Sequence, residues 1–196
     1  MGVLGIVPFL IVANLSSAPA PNEAPTVRVE AANDGVTAHM EGVIDAPLEL
    51  VAAVVGDVER YPCWLPIFGG VRSARTFALQ PLYDTEWRLP WPLGVLHQRM
   101  RFERMPVDHG VSFFFEQRDG DMQRHEGYWI LTSRGRHTHV IYEAKVAFRT
   151  WVPQFLIATF QQTELPKLLQ KLRDETRRRA ASNVATISSA ACNQPS

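Results

Sequence analysis

His137-Thr138-His139 places two imidazoles on one face of an extended strand, which is half of a metal site if further ligands converge on it. No ligand cluster completes it. The pair follows the Arg134-Gly135-Arg136 turn and belongs to the face opposite Val140 and Tyr142, so solvated turn residues are expected there. His97 and His125-Glu126 have acid–base side chains but read as surface or hairpin residues. Asp84, Glu86, Glu103 and Glu143 alternate with apolar neighbours and face outward, leaving no inward carboxylate pair for general acid–base work. The chain has no G-x-S-x-G elbow, no phosphate-binding G-x-x-x-x-G-K-S/T loop and no H-E-x-x-H zinc helix. The motifs therefore point to no catalytic residue, no metal and no cofactor.

Cys63 and Cys192 are too few for a four-thiolate zinc site or a disulfide framework. Cys192 lies in a loose tail, and two free thiols are the favoured reading, although an oxidising compartment would let them pair. Lys167, Lys171, Arg173 and Arg177-Arg178-Arg179 outnumber Asp174 and Glu175 near the C-terminus. This run reads as a solvated helix end favoured by the helix dipole, with a docking patch for anionic lipid headgroups as the alternative. Over the whole chain, 20 Lys and Arg balance 20 Asp and Glu, so the basic excess of a nucleic-acid partner is missing. With 46% hydrophobic and 20% charged residues, the 196-residue chain has the composition and length of one folded domain. No apolar run reaches the roughly 20 residues of a membrane-spanning helix.

The elements that must position these groups follow from periodicity. Val3 to Leu15 is an apolar stretch followed by Ala18-Pro19-Ala20, so residues 1–20 are expected to be a secretory signal peptide and 21–25 a linker. An exported, periplasmic or secreted protein is expected, with a cytoplasmic one as the alternative. Val27, Val29 and Ala31, then Val36 to Ile44, alternate as two strands around Asn33-Asp34-Gly35. Pro47 starts a helix carrying Leu50, Val51, Val54 and Val55, and Tyr61 to Pro66 is an aromatic turn. From Val71 to Phe148 the period is two. Strands are expected over Tyr83–Leu89, Leu96–Glu103, Val111–Gln117, Tyr128–Leu131 and Val140–Phe148, each with one apolar and one charged face. Pro153 opens a long helix with Phe155, Leu156 and Phe160, then Leu165, Leu168, Leu169 and Leu172, on an apolar stripe that Pro166 should kink. Residues 180–196 read as a disordered tail. The fold class is α+β: a curved antiparallel sheet gripping a C-terminal helix.

Five Trp and ten Phe exceed the needs of a minimal sheet-on-helix core. Trp64, Phe68, Trp87, Trp91, Met100, Phe113, Phe115, Trp129 and Phe155 are candidates to line an apolar pocket, the alternative being plain core. Thr85, Gln98 and Tyr142 fall on inward faces and are the candidates for a ligand's polar head, although a satisfied core hydrogen bond explains each equally well.

Val43-Ile44-Asp45-Ala46-Pro47 and Val58-Glu59-Arg60-Tyr61-Pro62-Cys63-Trp64-Leu65-Pro66 resemble the opening of START-like, polyketide-cyclase and coenzyme Q-binding proteins, the helix-grip superfamily. Trp151-Val152-Pro153-Gln154-Phe155-Leu156 with Leu165-Pro166 is similar to the closing helix of its START branch. The resemblance spans about residues 26–178, within a domain expected over 26–179, and implies a hydrophobic tunnel between sheet and helix. It implies non-catalytic binding, with transfer as a further step: the expected cargo is a lipid, a sterol or hopanoid, or an isoprenoid quinone. A cyclase/aromatase-type enzyme and a protein-interaction module are the alternatives. The expected protein is a monomer that touches membrane surfaces transiently and carries its small molecule without nucleic acid. Pro90-Trp91-Pro92-Leu93-Gly94, Tyr61–Pro66 and the helix start near Trp151 and Phe155 are expected to form the tunnel mouth.

Overall fold

The computed structural model of the chain describes residues 23–32, 34–74, 81–90, 94–149 and 152–184. The proposed signal segment, Trp91, Trp151 and Cys192 lie outside the described residues. Two strands open the domain, β1 (Thr26–Ala32) and β2 (Gly35–Ile44), followed by α1 (Leu48–Gly56) and a 3-10 helix over Val58–Cys63. Six strands follow: β3 (Phe68–Ala74), β4 (Leu82–Arg88), β5 (Val95–Val107), β6 (Gly110–Gly120), β7 (Met122–Arg134) and β8 (His137–Phe148). The chain then closes with α2 (Gln154–Val184). The strands form one antiparallel sheet in the order β1-β2-β8-β7-β6-β5-β4-β3, so β2 pairs with β8 and the long segment between them folds as a meander.

Period-two alternation decides which face the core takes. Val36, Ala38 and Met40 of β2, Phe113 and Phe115 of β6, Trp129 and Leu131 of β7, and Val140, Tyr142 and Ala144 of β8 are buried on the inner face. The intervening charged residues pair across the outer face, as Arg99 does with Asp84 at 2.7 Å. α2 packs on β1, β2 and α1. Leu165, Leu169 and Leu172 form the buried stripe, and they join Val51, Val54 and Val55 of α1 in one core cluster. This is the helix-grip arrangement.

Several elements differ from their sequence reading. The Tyr61–Pro66 turn is largely the 3-10 helix, held to α1 by the Tyr61 hydroxyl, which donates to the Val55 carbonyl at 2.6 Å. β7 starts at Met122 rather than at Tyr128. The helix runs through Pro166 without a break, because the Gln162 carbonyl that proline leaves without a donor belongs to an exposed residue and can be met by water. α2 also continues to Val184, into the segment read as a tail. Its first turn is not apolar core: Phe155 is 66% exposed and Leu156 is exposed, while Ile157 is buried. Among the described residues, no helix is long and apolar enough to cross a membrane.

Candidate functional site

The inner face of the sheet and α2 enclose a cavity of about 420 Å³, within the usual range of small-molecule sites. Its wall is built from alternate residues of β4 to β8, so one strand-facing rule positions nearly every lining side chain. The far side is Ile157, Phe160, Leu165 and Leu168 of α2, with Tyr61 and Leu65 closing the end beside the 3-10 helix.

A connected run of rings wraps the space. Tyr61 contacts Phe68 at 5.3 Å between ring centroids, Phe68 contacts Trp87 at 4.4 Å, and Trp87 meets His125 edge-to-face at 5.0 Å. His125 meets Phe115 at 5.4 Å, Phe115 stacks on Tyr142 at 6.0 Å, and Tyr142 contacts Trp129 at 4.6 Å. Each of these rings lines the cavity. Such faces suit an apolar body, and the offset and edge contacts fix the rings themselves in place.

The polar groups of the wall are few and mostly engaged with one another. The Trp87 indole N–H donates to Thr85 Oγ1 at 3.0 Å, and Thr85 Oγ1 donates to the Gln98 carbonyl at 3.3 Å. Gln98 Oε1 lies 2.9 Å from His125 Nδ1, and Gln98 Nε2 donates to the Met122 sulfur at 3.5 Å. Burial lowers the His125 imidazole from 6.5 to about 4, so it is neutral near pH 7. Burial raises Tyr142 well above the ordinary phenol value, which keeps its hydroxyl protonated. Charged lining residues are Arg88, Glu164 and Lys171; Arg88 bonds Glu86 and Glu164 bonds Lys167.

Of the expected ligand contacts, the cavity wall contains Phe68, Thr85, Trp87, Met100, Phe115, Trp129 and Tyr142. Of the rest, the described ones lie elsewhere. Gln98 is buried behind His125, and Phe113 is buried under α1, stacked on Phe102 at 5.6 Å between centroids. A Cβ on Gly56 would lie 3.1 Å from that Phe113 ring. Trp64 packs on the edge of Tyr61, and Phe155 is exposed. Trp91 lies outside the described residues. Pro66, Leu89, Pro90, Phe160, Gln161 and Glu164 also line the cavity, the last three a turn or more beyond Phe155.

His125 is the main residue the sequence reading misplaced, because it is 4% exposed rather than a surface residue. Continuing the β7 alternation back from Trp129 through Gly127 would have turned it inward. The His137-Thr138-His139 segment also departs from solvated turn chemistry. His139 is buried and lies 2.8 Å from Glu41, Thr138 donates to the Ala46 carbonyl at 2.8 Å, and His137 lies 2.9 Å from Asp45. No cluster of potential metal ligands occurs among the described residues.

The basic run is likewise not a free helix end. Arg173 is buried and donates to the Val43 and Glu23 carbonyls. Arg178 and Arg179 both bond Glu175, and Arg179 also reaches Asp57 at 2.9 Å. Lys167, Arg177 and Arg178 keep the exposure expected of a solvated face, with Arg177 beside Asp174. Cys63 lies in the 3-10 helix, and its pairing with Cys192 falls outside the described residues.

Comparisons with known proteins agree with this geometry. The model of the family described as polyketide cyclase/dehydrase and lipid transport matches residues 44–173. Human STARD10 superposes with a TM-score of 0.71 at 15% identity, covering 83% of this chain and 73% of its own. A STAR-related lipid transfer protein from Xanthomonas axonopodis gives 0.65 at 17% identity, covering 79% and 99%. The ZhuI aromatase/cyclase from Streptomyces sp. R1128 gives 0.58 at 15% identity, covering 74% and 96%. No curated protein sequence matches the chain.

Proposed function

The chain belongs to the polyketide cyclase/dehydrase and lipid transport family, and from that premise we propose that it binds one hydrophobic small molecule without chemically changing it. A lipid, a sterol or hopanoid, or an isoprenoid quinone is the class of cargo. The observation that carries this reading is the ring-lined cavity of about 420 Å³ between sheet and α2. Empty apolar space of that size is uncommon in a close-packed interior, and its burial of an apolar ligand supplies the driving force. Transfer between membranes would be a second step, with the exposed Phe155 and Leu156, which precede the cavity-lining Ile157, as the transient membrane contact. Export of a monomeric mature chain fits the apolar leader at Val3–Leu15.

The cyclase-type reading is supported by the likeness to an aromatase/cyclase. Against it stands the makeup of the wall: its acid, Glu164, is bonded to Lys167, and its imidazole is a weak base held neutral by burial.

Native mass spectrometry of the mature protein, with extraction of what co-purifies, tests the binding reading. A defined lipid at one copy per chain supports it. A protein that stays empty in the presence of vesicles overturns it. Intact-mass measurement on protein from its own host tests export, since a retained Met1 in a cytoplasmic fraction would end that part.

A further inference from the structure

The Met122 sulfur decides which way the Gln98 amide faces. A thioether accepts hydrogen bonds and cannot donate them, so Gln98 Nε2 belongs on the Met122 side at 3.5 Å. The opposite orientation would set two acceptors against each other. Gln98 Oε1 is then the atom 2.9 Å from His125 Nδ1, and an amide oxygen can only accept. The imidazole proton therefore sits on Nδ1. Burial keeps the ring neutral, so Nε2 carries a lone pair and no proton.

That lone pair has no hydrogen-bond partner among the described residues. Gln98, which holds Nδ1, is not part of the cavity wall, whereas His125 is, so the ring edge left available to a ligand is the one away from Gln98. Trp87 and Phe115 flank the ring in edge-to-face contacts, which fix its plane. The result is one oriented acceptor in a wall whose other polar groups are few. On the same wall the Tyr142 hydroxyl is neutral and likewise lacks a hydrogen-bond partner among the described residues.

We propose that His125 Nε2 is the specificity point of the cavity, and that it selects a hydrophobic ligand carrying a hydroxyl, whose O–H it accepts. This rests on the binding reading above and narrows its ligand class to alcohols. A carboxylate, ester, ether or quinone carbonyl offers only lone pairs, and would meet Nε2 with like against like. A charged headgroup would also have to leave water for an apolar wall. A sterol, a hopanoid alcohol, a polyprenol or a quinol satisfies the acceptor, whereas a quinone does not.

The test uses three probes of equal chain length: 1-hexadecanol, its methyl ether and hexadecanoate, each titrated into the full-length mature chain by displacement of a fluorescent alkyl probe. Hexadecanol should bind about tenfold more tightly than the methyl ether, the scale of one buried hydrogen bond. Hexadecanoate should bind more weakly again at pH 7. In His125→Phe, which keeps a ring between Trp87 and Phe115, the alcohol and the ether should bind alike. Nitrogen-15 spectra of the imidazole supply a readout that needs no variant: Nδ1 should be protonated, and the Nε2 signal should move on adding hexadecanol. Equal affinity of the alcohol and the ether for the wild-type chain, or a proton on Nε2, overturns the proposal while leaving hydrophobic binding intact. Failure of all three probes to bind would overturn both readings together.

Discussion

Gly42 of β2 lies directly beneath Leu169 of α2, so close that a Cβ on the glycine would run into Leu169 Cδ2. Leu169 is fully buried, so its methyl has little space to retreat into. The grip of sheet on helix is set at this point by the absence of one carbon. Gly42→Ala should therefore cost about 1–3 kcal/mol by overpacking, even though alanine suits a strand better than glycine. Urea denaturation measures it. A neutral or stabilising result would show that α2 does not sit down on β2 in solution.

Glu175 ties the other end of α2 to α1. Its carboxylate is buried, which pushes its pKa up, but hydrogen bonds from Arg178 and Arg179 outweigh that and hold it below the ordinary value. Arg179 continues to Asp57 and to the Ala53 carbonyl. Glu175→Ala should cost about 3 kcal/mol, the low end for breaking a buried ion pair, because Asp57 still holds Arg179 and half-exposed Arg178 can rehydrate. A loss below about 0.5 kcal/mol, the scale of an exposed pair, would mean that water reaches the network.

The sheet and the helix were legible because their signals are periodic. Alternation in Tyr83-Asp84-Thr85-Glu86-Trp87 fixes both the strand and its faces, and the leucines from Leu165 to Leu172 fix the buried stripe. The site was legible only as far as that alternation went. His125 follows a register shift between Met122 and Arg124, which breaks the count from the start of β7. Nothing local marks Glu175 as buried either: Arg178 and Arg179 bond it from the same helix, and it is Arg179 that reaches across the fold, to Asp57 and the Ala53 carbonyl. Phe155 shows the opposite failure: helical spacing aligns it with the stripe, but in the first turn it is Ile157 that is buried and Phe155 that is exposed.

Stability should carry the signature of the buried imidazole. His125 has an ordinary value of 6.5 in the unfolded chain and about 4 in the folded one. Above pH 6.5 both states are neutral there and its contribution is fully present. As the pH falls from 6.5 towards 4, the unfolded chain takes up a proton that the folded chain refuses, so stability declines and then levels off. The whole window amounts to roughly 3 kcal/mol at about 1.4 kcal/mol per pH unit. Unfolding measured at pH 7 and pH 5 should show a larger loss in the parent than in His125→Phe. Equal losses, with an imidazole that titrates near 6.5 in the folded chain, would show that His125 is wet.

Val146 of β8 pairs across the strands with His125 and lines the same cavity. Val146→Phe would extend a ring into that space. In a packed core such a substitution typically costs 1–3 kcal/mol in strain, because the added carbons have no room. Here they enter open volume beside His125, so unliganded stability should change by less than about 1 kcal/mol. Binding of 1-hexadecanol should weaken at least tenfold, since the ring takes the room the ligand needs. The parent should also gain thermal stability with saturating hexadecanol, about 2.7 kcal/mol at a hundredfold excess over Kd, and the variant should gain far less. A variant that unfolds readily yet still binds would mean that the cavity is closed by packing in solution and that the ligand sits elsewhere.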